Sequence, residues 1–190
     1  KLCRDLKIPR VMKLTNTATP AVADDIRREF EIADGDKVRL SFHRPNLDLR
    51  VSPVRAGERN ALLLERLGEI DGPAVVYVTL QHTAEAVATF LKRRGVSAQA
   101  YHAGMPPEFR AEAQERFMRG DTRVIVATIA FGMGVDKPNV RFVIHADLPR
   151  HLEGYYQETG RAGRDGLPSD CILIFSAGDR AKIENFIAQK

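Results

Sequence analysis

Arg161 and Arg164 stand three residues apart in Gln157-Glu158-Thr159-Gly160-Arg161-Ala162-Gly163-Arg164-Asp165-Gly166, between glycines that let other groups come close. A guanidinium keeps its charge at any working pH and can fork onto two phosphate oxygens, so such a pair suits a polyphosphate better than a surface ion pair. In a helix, residues 157, 161 and 164 would fall at i, i+4 and i+7 and present Gln157 and both cations on one face. The chemistry served by such a row is phosphoryl transfer, where an arginine finger on the γ-phosphate is worth about 10³ to 10⁵ in rate. A solvated Arg/Gly loop, or an ion pair of Arg164 with Asp165 or Glu158, fits the same spacing. Spacing alone does not choose between them.

Two further segments bear on that choice. Ala127-Thr128-Ile129-Ala130-Phe131-Gly132-Met133-Gly134-Val135-Asp136-Lys137-Pro138 follows the apolar run Val124-Ile125-Val126, and Tyr101-His102-Ala103-Gly104-Met105 follows another short apolar stretch. Together with the arginine segment they resemble the second motor domain of the RecQ family of superfamily 2 DNA helicases. The resemblance runs from Leu14-Thr15 through Phe42-His43-Arg44-Pro45-Asn46-Leu47 to Gly166. The related DEAD-box RNA helicases usually open the arginine segment with His-Arg, where this chain has Gln157-Glu158.

The resemblance implies an α/β fold, a RecA-like parallel sheet flanked by helices, of the P-loop NTPase-type helicase C-terminal kind. It implies Arg164 as the finger that reaches the γ-phosphate, Arg161 as its partner on phosphate or a brace of the closed state, and Gln157 as a group orienting nucleotide or water. Asp136 would accept from a ribose hydroxyl, although a cap or a pairing with Lys137 fits it nearly as well. Gly132 and Gly134 permit positive φ and let main-chain amides approach a phosphate. Thr79, His102, Thr128, Arg44 and Asn46 are the implied contacts to single-stranded DNA, in a groove where amides, hydroxyls and cations track the backbone. A threonine at a strand end is also a common helix cap.

Elements must position these groups. Short β-branched runs alternate with amphipathic stretches, the rhythm of βα units around a parallel sheet. Strands are predicted at Ala74 to Val78, Ala98 to Tyr101, Val124 to Ala127, Phe142 to His145 and Cys171 to Phe175. Helices are predicted at Glu58 to Leu67, Thr83 to Arg94, Pro107 to Met118, Leu152 to Glu158 and Asp179 to Ala188. In such sheets ligands sit beyond the carboxyl ends of the strands, and both arginines are expected to face that open end. Val11 to Leu14 as a strand and Ala21 to Phe30 as a helix have no second unit to pack against. Residues 1–40 therefore read as a fragment of a preceding domain, and the resemblance implies that they are the end of the first motor domain and that 41–190 is the helicase C-terminal domain. Lys13 and Asn16 put a charged and a polar group where the family buries a strand end, which points to an exposed domain face or to a sequence altered for solubility.

With 190 residues, 44% of them hydrophobic, the chain can bury a core. No apolar run approaches a membrane span and the first thirty residues carry charge throughout, so an intracellular protein is expected, cytoplasmic at the nucleoid or nuclear. Cys3 and Cys171 have no metal-ligand spacing. The net charge of +4 leans mildly toward an anionic partner. No Gly-x-x-x-x-Gly-Lys-Ser/Thr segment occurs, and no Asp-Glu-x-His follows an apolar strand. ATP with Mg²⁺ is therefore expected to be bound mainly by a first RecA-like domain of the same protein, with single-stranded and partially duplex DNA as the other partner. A non-catalytic nucleic-acid or protein-binding module on a motor-like fold stays open, as does an RNA helicase, which the Gln157-Glu158 opening disfavours.

Overall fold

Three four-residue runs, apolar except for His145, are buried on both faces, the signature of strands inside a covered parallel sheet: β2 (Ala74–Tyr77), β4 (Val124–Ala127) and β5 (Phe142–His145). With β1 (Leu47–Pro53), β3 (Ala98–Tyr101) and β6 (Ser169–Phe175) they form one six-stranded sheet in the order β1-β6-β5-β2-β4-β3, every neighbouring pair parallel. The computed structural model describes residues 12–15, 18–38, 43–55, 57–69, 71–132, 135–149 and 151–179.

Alternate residues of the central strands feed two cores. Ala74, Val76, Val124, Val126, Phe142 and Ile144 pack with Leu63 and Leu67 of α2 (Arg59–Glu69) and with Ala84, Val87 and Leu91 of α3 (Gln81–Arg93). On the other face Val75, Tyr77, Ile125, Ala127 and Val143 pack with Ala113 and Phe117 of α4 (Pro107–Arg119) and with Ala162, just beyond α5 (Leu152–Thr159). The sheet is thus flanked by helices on both sides, the RecA-like α/β arrangement.

One connection departs from the βα rhythm and matters for the site. β4 and β5 lie on either side of β2, and the described part of the segment joining them, 128–141, contains no helix. It crosses the face of the sheet from the carboxyl end of β4 to the amino end of β5. Phe131, Val135 and Val140 hold it there, buried in the same cluster as Val75 and Tyr77.

β1 was not among the expected strands. It is an edge strand with Leu49 and Val51 exposed, so no buried apolar run announces it. It pairs with β6 over its whole length, from Leu47 opposite Ser169 to Pro53 opposite Phe175.

The chain divides into two compact units, Lys1–Arg44 and Pro45–Lys190. In the first, α1 (Pro20–Glu29) opens on Thr19, whose Oγ1 accepts from the Val22 amide at 3.3 Å. Met12 to Leu14 form no strand, and Met12 and Leu14 are exposed. Val11, Asn16, Cys3 and Gly134 lie outside the described residues. So does the expected final helix beyond Asp179.

Candidate functional site

The two arginines are brought together, but not by a shared helical face. α5 stops at Thr159, and residues 160–165 continue as turns in which Gly163 adopts a φ of 52°. Glycine is required there, since a Cβ on Gly163 would sit 2.5 Å from Asn46 Nδ2, 2.7 Å from Ser169 Oγ and 2.8 Å from the Leu167 carbonyl. The Gly163 amide donates to the Val140 carbonyl at 2.9 Å and the Asp165 amide to the Pro138 carbonyl at 3.2 Å, anchoring the turn to the crossing segment. Both guanidiniums then reach that same segment. Arg161 Nη1 donates to the Gly132 carbonyl at 2.7 Å, and Arg164 Nη1 meets Asp136 Oδ1 at 2.7 Å. They therefore lie against the segment covering the sheet face, and not among the loops at its carboxyl end as expected. The reason is topological: α5 carries the chain back toward the amino end of the sheet before the arginines appear.

Their surroundings differ. Arg161 is half-buried and its Nε has no hydrogen-bond partner. It stands near Tyr77, whose hydroxyl donates to the Phe131 carbonyl at 3.3 Å. Burial pushes the Tyr77 phenol well up from its ordinary value, against the opposing pull of the Arg161 charge. The Arg164 side chain is 38% exposed and its partner Asp136 is 78% exposed. An ion pair so open to water is worth about 0–1 kcal/mol, so Arg164 can leave it at little cost. Neither Asp165 nor Glu158 is the partner of Arg164: Asp165 pairs with Arg141, and Glu158 meets His145 Nε2 at 2.7 Å in the core. Lys137 does not pair with Asp136 either. Its ammonium donates to the Met118 carbonyl at 3.1 Å, and burial lowers its pKa. Gln157 is exposed on α5.

The nucleic-acid candidates separate into two groups. Thr79, Thr128 and His102 follow β2, β4 and β3, adjacent strands whose last residues Tyr77, Ala127 and Tyr101 are in register. They form a row across the carboxyl edge. Thr128 donates its amide to the Tyr101 carbonyl at 3.2 Å, and His102 Nε2 lies 3.1 Å from Glu85 Oε1. Asn46 stands at the opposite end, before β1, where its Nδ2 donates to the Gly163 carbonyl at 2.8 Å and the Leu167 carbonyl at 3.0 Å. It ties the edge strand to the arginine turn. Arg44 belongs to the first unit and is half-buried.

The donor set is cationic where a phosphate would be met. Among the described residues no three His, Cys, Asp or Glu side chains come together to hold a metal. The family model for the helicase conserved C-terminal domain matches residues 58–166, from the start of α2 through both arginines. This chain belongs to that family. Its sequence relatives place it on the RecQ branch of superfamily 2, as a second RecA-like domain. The ATP-dependent DNA helicase RecQ of Bacillus subtilis is 42% identical over 96% of this chain and 30% of that protein. The protein of the same name from Haemophilus influenzae is 42% identical over 95% of this chain and 29% of its own length. The chain thus spans less than a third of these relatives. Among solved structures, the Escherichia coli DEAD-box protein SrmB, bound to regulator of ribonuclease activity A, matches with a TM-score of 0.63 and 26% identity, over 78% of this chain and 87% of that one.

Two features of this helicase domain escaped the sequence reading. One is the buried His145–Glu158 contact, with the His145 ring stacked on Tyr77 at 5.3 Å and near Tyr155 at 4.9 Å. The other is a network at the carboxyl ends of β2, β5 and β6. Arg59 meets Asp147 Oδ1 at 3.0 Å and Ser176 Oγ at 3.1 Å, and pairs with Asp179 and the Ala146 carbonyl. Asp147 Oδ2 in turn accepts from the Thr79 amide at 2.9 Å and from its hydroxyl at 3.1 Å. Thr79 joins the row with both donors engaged by this carboxylate. Partners 68 to 120 residues apart carry no local spacing signal.

Gly132 tests the seat of Arg161. Its φ of 137° belongs to a region open essentially to glycine alone, and an added Cβ would collide with the Arg161 guanidinium. Gly132→Ala is expected to cost about 1–3 kcal/mol and to lower the melting temperature of the domain by about 3 to 10 °C. An unchanged thermal transition would mean that Arg161 is not seated on this carbonyl.

Proposed function

We propose that this chain is the second motor domain of an ATP-dependent DNA helicase of RecQ type, moving 3′ to 5′ on single-stranded DNA. The observation that carries the reading is the pair of guanidiniums gathered on one segment, with Arg164 held by an exposed carboxylate and, at 3.5 Å, by the Gly160 carbonyl. Residues 1–40 are the end of the first motor domain, which binds ATP with Mg²⁺ on its own phosphate cradle. Arg164 leaves Asp136 and meets charge developing on the γ-phosphate, while Arg161 stays on Gly132 and fixes the turn that aims it. Asp136, released from Arg164, is then able to accept from a ribose hydroxyl. Gln157 faces the nucleotide from the solvent side of α5.

DNA is gripped elsewhere, at the carboxyl edge. Thr79, Thr128 and His102 line up along one side of the sheet. The 128–141 segment begins at Thr128 and carries Gly132 and Asp136, so a shift of the arginines on nucleotide turnover is transmitted to the DNA row through one continuous stretch of backbone. Closing and opening of the two motor domains against such alternating grips is translocation.

The chain alone is expected to show no ATP turnover above background. Joined to its first motor domain it is expected to hydrolyse ATP with stimulation by single-stranded DNA. Steady DNA-stimulated hydrolysis by the isolated chain would refute the division of labour. Absence of stimulation in the joined protein would favour a non-catalytic binding module.

A further inference from the structure

The row at the carboxyl edge does not end at a wall. His102 follows β3, the outermost strand, and beyond it α3 and α4 flank a groove of about 290 Å³. That is near the lower size of pockets for small organic groups, ~300 Å³. Small side chains, Ala88, Ala100 and Ala113, leave the space open, and Met105 and Phe109 supply apolar surface. His102 lines the groove as well, so the groove is continuous with the row.

Isolated exposed hydrophobics are normal. Three observations together set this place apart. Phe109, in the first turn of α4, leaves 54% of its surface in water although it lines a concave site. His102 is only 4% exposed, yet its Nδ1 has no hydrogen-bond partner. Glu85 and Glu112 border the groove, with Lys92 as its cation. Carboxylates there disfavour a phosphate inside the groove and can accept from an N–H of a base, the N3–H of thymine included. A peptide strand added along β3 is less well served, since that strand offers four residues to pair with.

We propose that the groove takes one unstacked nucleobase of a single strand, its π-face on Phe109, while the backbone of that strand follows the row at Thr79, Thr128 and His102. The inference rests on the nucleic-acid reading above and adds a base contact to it. Stacking on an aromatic side chain is sequence-tolerant, so the groove increases affinity for unpaired DNA without selecting a sequence.

The test uses the full-length protein and two probes of equal length, an oligodeoxythymidine and one with abasic positions, with Kd read by fluorescence anisotropy. Phe109→Ala is expected to weaken oligodeoxythymidine binding about 5- to 150-fold, Phe109→Trp to preserve it, and neither to change binding of the abasic strand. Phe109 is exposed, so both variants should fold, and an unchanged melting curve checks that. Unchanged oligodeoxythymidine affinity in Phe109→Ala would overturn the base site and return the groove to another partner. Equal weakening on both probes would overturn it too, by showing that the ring acts through the backbone path. Thr128→Ala in the same assay separates the two levels of the argument: if it alone weakens binding to both probes, the row stands and the base site falls. If neither variant matters, the nucleic-acid edge itself is wrong.

Discussion

Replacing Arg164 with alanine in the full-length protein is expected to lower kcat for DNA-stimulated ATP hydrolysis by about 10³ to 10⁵, while nucleotide affinity changes far less. The size follows from what the guanidinium does. In a bound ground state the γ-phosphate charge is already shared with other donors, so one missing cation costs little affinity. In the transition state charge gathers on oxygens that only a correctly placed donor can meet, and about 4 to 7 kcal/mol of barrier returns when it is gone. The folded state should hardly notice the change, because the Arg164–Asp136 pair is open to solvent. Arg164→Lys is expected to recover little, since a point charge cannot fork onto two oxygens. Single-turnover hydrolysis and a nucleotide-binding titration on the same preparations decide the matter. A kcat within tenfold of wild type would end the finger assignment. A parallel loss of nucleotide affinity would recast Arg164 as a binding group.

The same two arginines show what a sequence can and cannot disclose. Their residue types and the Gly-rich setting were legible, and so was the family, because Ala-Phe-Gly-Met-Gly and the arginine segment are long and specific. β2, β4 and β5 were legible because double burial leaves an unbroken apolar run such as Val124-Ile125-Val126. β1 was hidden because an edge strand has one side in water: Asp48 and Arg50 alternate with an exposed Leu49 and Val51, a pattern shared with loops. The orientation of the arginines was hidden for another reason. Helical periodicity assumes that a helix continues, and Gly163 at positive φ turns the chain between Arg161 and Arg164. Where the guanidiniums land depends on a crossing segment whose described residues form no helix, and a rule that places ligands at carboxyl ends does not reach it. Asn46 looked like a contact to DNA by its motif, whereas the fold brings its amide onto two carbonyls at the amino end.

Arg59 is a position where a single substitution should cost the domain much of its stability. Its guanidinium is shared by Asp147 and Asp179, and the Asp179 side chain is only 4% exposed. Arg59→Met keeps most of the stem and removes the charge, taking this guanidinium from two carboxylates near each other, at about 3–5 kcal/mol. The pH dependence gives the cause a signature. Burial pushes the Asp179 carboxyl upward, but the Ser176 amide and Arg59 outweigh it and leave its pKa below the ordinary 3.8. A carboxyl with a depressed folded-state pKa stabilises the protein above its unfolded value and loses that contribution as pH falls through the folded one. In Arg59→Met the Ser176 amide still opposes burial but the guanidinium no longer does, so ionised Asp179 loses a share of stabilisation that the wild type itself loses on protonation. The deficit of the variant, read from denaturant unfolding, is therefore expected to be largest near neutral pH and to shrink below about pH 4. Because Asp147 also holds both donors of Thr79, single-stranded DNA binding by the full-length variant should weaken even where the protein remains folded. A deficit that stays constant with pH would locate the loss in the packing of the Arg59 stem, and intact DNA affinity would separate Thr79 from this network.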